Sequence, residues 1–196
     1  MTADPDYFLT NMTNVTADGK YLCTGLYADL TGEFKVDLLH GYVGFREYWA
    51  AKPRSKVLKI DTETGEATVV FEEDYWIGHV NTSPTLPDII TFCHEGPWQE
   101  VDNRIWGLDL RDGRVWKIRP TAPGERVGHE YWFADGRQIG YHGHSPEGVA
   151  FYGSINYDNT GQVEAPFPHD STHFHSNDLS LIVGDGKRTA PNLLLW

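Results

Sequence analysis

Only two cysteines, Cys23 and Cys93, occur in the 196 residues, too few for a disulfide framework. Each sits in an apolar, strand-like run, and both are expected to be reduced core thiols of a cytoplasmic protein. Cations are scarce as well: 16 Lys and Arg against 28 Asp and Glu give a formal net charge of −12. Nucleic acid is therefore excluded as the expected partner, because phosphate binding needs a basic footprint. An anionic sugar is not, since a few local cations or a metal override the global sign at close range. No apolar run approaches the roughly 20 residues of a membrane-spanning helix, so no membrane partner is expected. The start, Met1-Thr-Ala-Asp-Pro-Asp, has neither a basic region nor an apolar core, and no signal peptide is expected. Three Asn-x-Ser/Thr triplets, beginning at Asn11, Asn14 and Asn81, then read as chance. What the chain has in quantity is aromatic side chains, 13% of residues with seven Trp and ten Tyr. That is enough for a sizeable core in one domain.

The organising feature is a repeat. Gly65, Gly113 and Gly161 mark turns at intervals of 48 residues. Each turn joins two strand-like runs: 57–61 to 67–71, 104–109 to 114–118, and 149–157 to 162–163. Alternation across a short glycine turn is the hairpin signature. After each hairpin comes a histidine-bearing segment, Gly78-His79-Val80, Gly128-His129-Glu130 or His173-Phe174-His175. Another apolar run follows, at 89–92, 138–141 and 181–184. Residues 8–27 read as the second half of an earlier unit, and 192–196 as the first strand of a later one. Helical periodicity is confined to a turn near 45–49. Four short strands per unit at this period predict an all-β protein, a β-propeller, with residues 1–196 forming one partial propeller domain. A β-sandwich with coincidental spacing is the alternative. Two half-units and three near-complete ones make about four blades. The chain stops in mid-strand with an open edge, so it reads as a piece of a larger ring.

In a propeller blade, the start of the innermost strand and the end of the next lie on one rim. This phasing places His79, His129 and His173 at starts of innermost strands, and His94, His142 and His144 at ends of second strands. Six of the nine histidines thus gather on one rim. Imidazole is the commonest transition-metal ligand and the usual general base near neutral pH. Repeated histidines are also framework residues between blades, and that reading is preferred for His79. His129 and His173 lie in more polar settings and read as functional. In His173-x-His175 alternate residues share a strand face, so both can ligate, although two ligands do not make a site. Arg104 opens an outer hairpin beside Cys93-His94-Glu95-Gly96-Pro97-Trp98; it reads either as a solvated strand end or as part of a polar cluster.

Taken together, Phe92-Cys93-His94-Glu95-Gly96-Pro97, Asp102-Asn103-Arg104-Ile105-Trp106, His129-Glu130-Tyr131-Trp132 and His173-x-x-Ser176-Asn177 with Gly184-Asp185-Gly186 resemble the oligogalacturonate lyases of pectin-degrading bacteria. Their order and separations are similar, from about residue 8 to the C-terminus. The resemblance implies a seven-bladed propeller of about twice this length. It also implies a carbon–oxygen lyase of pectin degradation, cleaving short oligogalacturonates by β-elimination with a divalent metal, typically Mn2+. Arg104 then matches the catalytic arginine and His129 the catalytic histidine. The first metal ligand falls on the pair His173 and His175, with His173 preferred, and His94 is the candidate for substrate binding on the same rim. In that chemistry His129 takes the C5 proton while Arg104 and the metal bind uronate carboxylates; the two roles reverse if Arg104 is strongly perturbed. The remaining family ligands, a Gln-x-x-His-x-His motif in a later blade, do not occur in this chain. The rival from another class is a non-catalytic propeller, a binding scaffold, which has no need of Arg104, His129 and His173 together. A second enzyme reading, a propeller appended to a serine peptidase, is poorer, since no Gly-x-Ser-x-Gly elbow occurs in these residues.

Overall fold

A computed structural model describes residues 5–168, 171–187 and 190–196. Strands β1 (Tyr7–Val15), β2 (Tyr21–Ala28), β3 (Arg54–Asp61) and β4 (Ala67–Asp74) form the first antiparallel sheet. The second contains β5 (Ile77–Thr82), β6 (Ile89–His94), β7 (Ile105–Asp109) and β8 (Val115–Ile118). In the third are β9 (Arg126–Trp132), β10 (Gln138–His144), β11 (Ala150–Asn156) and β12 (Val163–Pro166). The fourth has three strands, β13 (Phe174–Ser176), β14 (Ile182–Lys187) and β15 (Ala190–Leu195). Spatial order follows chain order in every sheet, and the first strands of successive sheets meet, β1 against β5 and β5 against β9. The arrangement is nearly all-β and propeller-like.

The 48-residue turns are the β3–β4, β7–β8 and β11–β12 hairpins. Gly65, Gly113 and Gly161 adopt φ of 73°, 72° and 64°, a left-handed conformation in which a Cβ is penalised. That requirement is why the period is legible in glycine. The turn expected near 45–49 is a seven-residue helix, α1 (Phe45–Ala51), within the long β2–β3 connection. It is anchored by Tyr48, which is fully buried and donates its hydroxyl to the Ala28 carbonyl oxygen at 2.6 Å.

Core residues sit between sheets. Cys23 and Val57 of the first sheet pack with Ile77, Ile90 and Phe92 of the second, and Ile105 and Ile118 of the second with Val127 and Ile139 of the third. Each large apolar side chain withdrawn this way contributes about 1.5–3 kcal/mol. β6 is buried along its whole length, as a strand covered on both faces must be. Cys23 and Cys93 are buried and free, and burial pushes the Cys23 thiol up to about 11. Among the described residues no helix is long and apolar enough to cross a membrane.

One irregularity recurs. In β5 the register slips so that His79 and Val80 face Phe92 alone, and in β9 His129 and Glu130 face Tyr141 alone. A slip also breaks β1 between Leu9 and Thr13. Such bulges insert an extra residue and re-aim side chains. In two sheets the bulged position carries the histidine of a Gly-His pair.

Candidate functional site

Arg104 ends the loop from β6 into β7, and the polar run around it folds inward. Its side chain is 1% exposed, so the solvated strand end allowed by the sequence is corrected to a buried cation. A buried guanidinium requires partners. Nη1 donates to Glu95 Oε1 at 3.0 Å and to the His94 carbonyl oxygen at 3.3 Å. Nη2 lies 3.2 Å from His79 Nδ1, and Nε lies 3.5 Å from Glu130 Oε2. Burial opposes the charge, but the Glu95 and Glu130 carboxylates hold the Arg104 pKa above its ordinary value. The Nη1 edge of the fork is thus occupied by a carboxylate of the protein itself, and Nη2 faces the His79 ring.

His79 heads the β5 bulge with a left-handed φ of 46°. The framework role preferred for it misses half of its surroundings. Besides Arg104 it faces Glu130 Oε1 at 3.6 Å from Nδ1 and Glu95 Oε2 at 3.9 Å from Nε2. Its ring stacks on His129, with centroids 5.1 Å apart. His79, Cys93 and Glu95 bring three donor atoms within 4.8 Å of one another. The cation they surround is Arg104, and burial raises the Cys93 pKa, which keeps it a thiol rather than a thiolate ligand.

His129 is oriented from the neighbouring sheet. Its Nδ1 lies 2.7 Å from the Thr172 carbonyl oxygen. A carbonyl only accepts, so Nδ1 carries the proton and Nε2 the lone pair. Burial first, then the charges of Arg104, His79 and His173, lower the His129 pKa to about 4. Trp98 stands edge-on to the ring at 5.3 Å. That approach needs Gly128, where a Cβ would clash with the Trp98 ring.

His173 closes the row, 4.4 Å from His129 between ring centroids. Its Nδ1 meets Asp185 Oδ2 at 2.5 Å, while Asp185 Oδ1 accepts from the His173 backbone N–H at 2.9 Å and from Ser171 Oγ at 2.8 Å. Against some desolvation, these contacts hold Asp185 well below the usual carboxylate range. A histidine whose second nitrogen is fixed by a carboxylate is the usual form of a metal ligand. His173 fits that form, with no partner for Nε2 among the described residues, whereas His175 packs on Tyr131 at 4.8 Å. Both line one shallow pocket with Asp185.

His94, expected to bind substrate, does not offer its ring. It is 3% exposed, with Nδ1 2.6 Å from Asp102 Oδ1 and Nε2 2.9 Å from Glu73 Oε1, and it stacks on Tyr75 at 3.8 Å. His142 joins the row through His129 at 6.0 Å, and His144 lies further along β10, opposite Arg126. Glu95, Glu130 and Asp185 received no role from the sequence. For Glu130 the available signal was a carboxylate inside a strand, since Glu is almost never fully buried unless paired.

A family model described as oligogalacturonate lyase matches residues 19–193. The oligogalacturonate lyase of Dickeya dadantii is 33% identical over 147 residues, covering 72% of this chain and 37% of that protein. A solved oligogalacturonate lyase in complex with manganese superposes with a TM-score of 0.85 at 26% identity, over 95% of this chain and 49% of its own. The oligogalacturonate lyase of Vibrio parahaemolyticus gives 0.83 at 29% identity, over 97% and 50%. The chain therefore spans between about a third and a half of the relatives it matches. By the extent of these matches, it belongs to the oligogalacturonate lyase family.

Proposed function

We propose that this chain carries the base-and-arginine part of a manganese-dependent oligogalacturonate lyase, as four blades of a seven-bladed propeller in one domain. The observation that carries the reading is the His129 tautomer: Nδ1–H is committed to Thr172, which leaves Nε2 as a lone pair beside a permanent buried cation. β-Elimination removes the C5 proton next to a uronate carboxylate and expels the O4 leaving group. Carbanion-like charge must be neutralised as it develops. His129 takes the C5 proton at Nε2. Arg104 supplies fixed positive charge toward the carboxylate through its Nη2 edge, a role supported by the Glu95 and Glu130 carboxylates that keep it charged. His173 Nε2, held in place by Asp185, is the ligand that would hold the metal, with His175 as its neighbour on the strand. The bound ion supplies Lewis acidity to the carboxylate. His94 braces the Arg104 loop rather than touching substrate.

The test fuses this chain to the remaining length of the Dickeya dadantii relative, supplies Mn2+ and short oligogalacturonates, and follows the ultraviolet absorbance of unsaturated product. Product is expected, falling about 10²–10⁴-fold in His129→Ala with metal content unchanged. Product at the parent rate from His129→Ala contradicts the base assignment. A folded, metal-loaded fusion that makes none contradicts the lyase reading.

A further inference from the structure

Glu130 is the group that the chemistry above leaves unused. Its side chain is fully buried, and neither carboxylate oxygen has a hydrogen-bond partner among the described residues. Arg104 Nε is likewise without one. A buried carboxylate in this state is expensive, and the two cationic or polar neighbours it faces are the ones that frame the base. Glu130 Oε2 lies 3.5 Å from Arg104 Nε, and Oε1 lies 3.6 Å from His79 Nδ1.

The β9 bulge explains how one dipeptide serves both purposes. In regular strand, His129 and Glu130 would point to opposite faces. Because both face Tyr141, both reach His79: the His129 ring stacks on it and the Glu130 carboxylate approaches its Nδ1. Glu95 makes the closer contact to Arg104 but sits on a loop and is 20% exposed. Glu130 is part of the same backbone segment as the base.

We propose that Glu130 is the positioning residue of this site, holding Arg104 and His79 across the junction of the second and third sheets in register with His129. The mechanistic half of this statement rests on the lyase reading; the structural half does not. With His79 neutral, its Nδ1 accepts from Arg104 Nη2; with His79 protonated, the imidazolium lies 3.6 Å from Glu130 Oε1, at ion-pair distance. Glu130 supports both arrangements, so Arg104 keeps its place whichever state His79 is in.

Two variants test it, Glu130→Gln, which keeps the shape and removes the charge, and Glu130→Asp, which keeps the charge and shortens the reach. In the 196-residue chain, exchange of the Arg104 Nε–H is followed by NMR at a temperature where each variant is folded. Glu130→Gln is expected to speed that exchange at least about tenfold, with Glu130→Asp between it and the parent. Unchanged exchange in Glu130→Gln overturns the proposal; if that variant does not fold, unchanged exchange in Glu130→Asp overturns it. In the fusion protein, kcat is expected to fall about 100-fold in Glu130→Gln with KM within about threefold and partial rescue by Glu130→Asp. A lower melting temperature with unchanged kcat indicates a merely structural role and also overturns it. Should the parent fusion make no product, the lyase reading fails while the exchange measurement still decides the structural half.

Discussion

Among the described residues two arginines are buried, and they are satisfied very differently. Arg119, 3% exposed just after β8, donates from Nη1 and Nη2 to both oxygens of Glu125 at 2.5 and 3.1 Å, and from Nε to Glu164 Oε1 at 2.7 Å. Its guanidinium also lies 5.1 Å from the Phe151 ring and 5.5 Å from that of Tyr141. Every side of that cation is answered, and Glu164 receives Tyr141 Oη at 2.8 Å as well. Arg104 has one carboxylate at hydrogen-bond distance, a second at 3.5 Å and a histidine beside it. Arg119 is a latch between the second and third sheets. Arg104 is held by groups that have capacity left over, as expected of a site that must still interact with something else.

Substitution at either arginine separates the two roles. Arg119→Met leaves Glu125 and Glu164 without their cation, and a urea titration at pH 7 is expected to show a loss of about 3 kcal/mol. The triple variant Arg104→Met with Glu95→Gln and Glu130→Leu removes the cation together with both carboxylates that face it; its unfolding free energy is expected to stay within about 1 kcal/mol of the parent or to rise. Equal losses from both would show that Arg104 is as structural as Arg119.

A smaller effect concerns acid. Burial raises the Glu95 pKa, but Arg104 and His79 outweigh it and lower the group to about 2. Its folded-state value lies below the ordinary carboxylate value, so its stabilisation is complete above about pH 4.5 and fades as pH falls toward 2. Because Glu95 is partly exposed, the expected contribution is about 1 kcal/mol. The difference in urea midpoint between parent and Glu95→Gln is therefore expected at pH 7 and should close on acidification. A difference independent of pH would mean that the Glu95 charge is not what stabilises Arg104.

Much of the fold was legible because its punctuation is chemical: left-handed turns demand glycine, and three of them fall at one period. The helix at Phe45–Ala51 was visible only as a turn, since seven residues give barely two helical repeats. The site was legible in parts. Arg104, His129 and His173 stood out through their polar neighbours and the family resemblance. His79 did not, because the arginine that gives it a role lies 25 residues away and arrives through sheet packing. The bulges were hidden too: a two-residue alternation cannot show an inserted residue, although Gly78-His79 and Gly128-His129 mark both places. For His94 nothing in the sequence showed that both ring nitrogens are taken, by Asp102 and Glu73.

The most direct test sets the two arginines side by side in the fusion protein: initial rates of unsaturated product for Arg104→Lys and Arg119→Lys, with Mn2+ present and well below both melting temperatures. Lysine keeps the charge and loses the fork. Arg104→Lys is expected to lose at least about 100-fold while Arg119→Lys stays within about threefold of the parent. Equal losses, or a larger loss from Arg119→Lys, would contradict the assignment of the catalytic charge to Arg104.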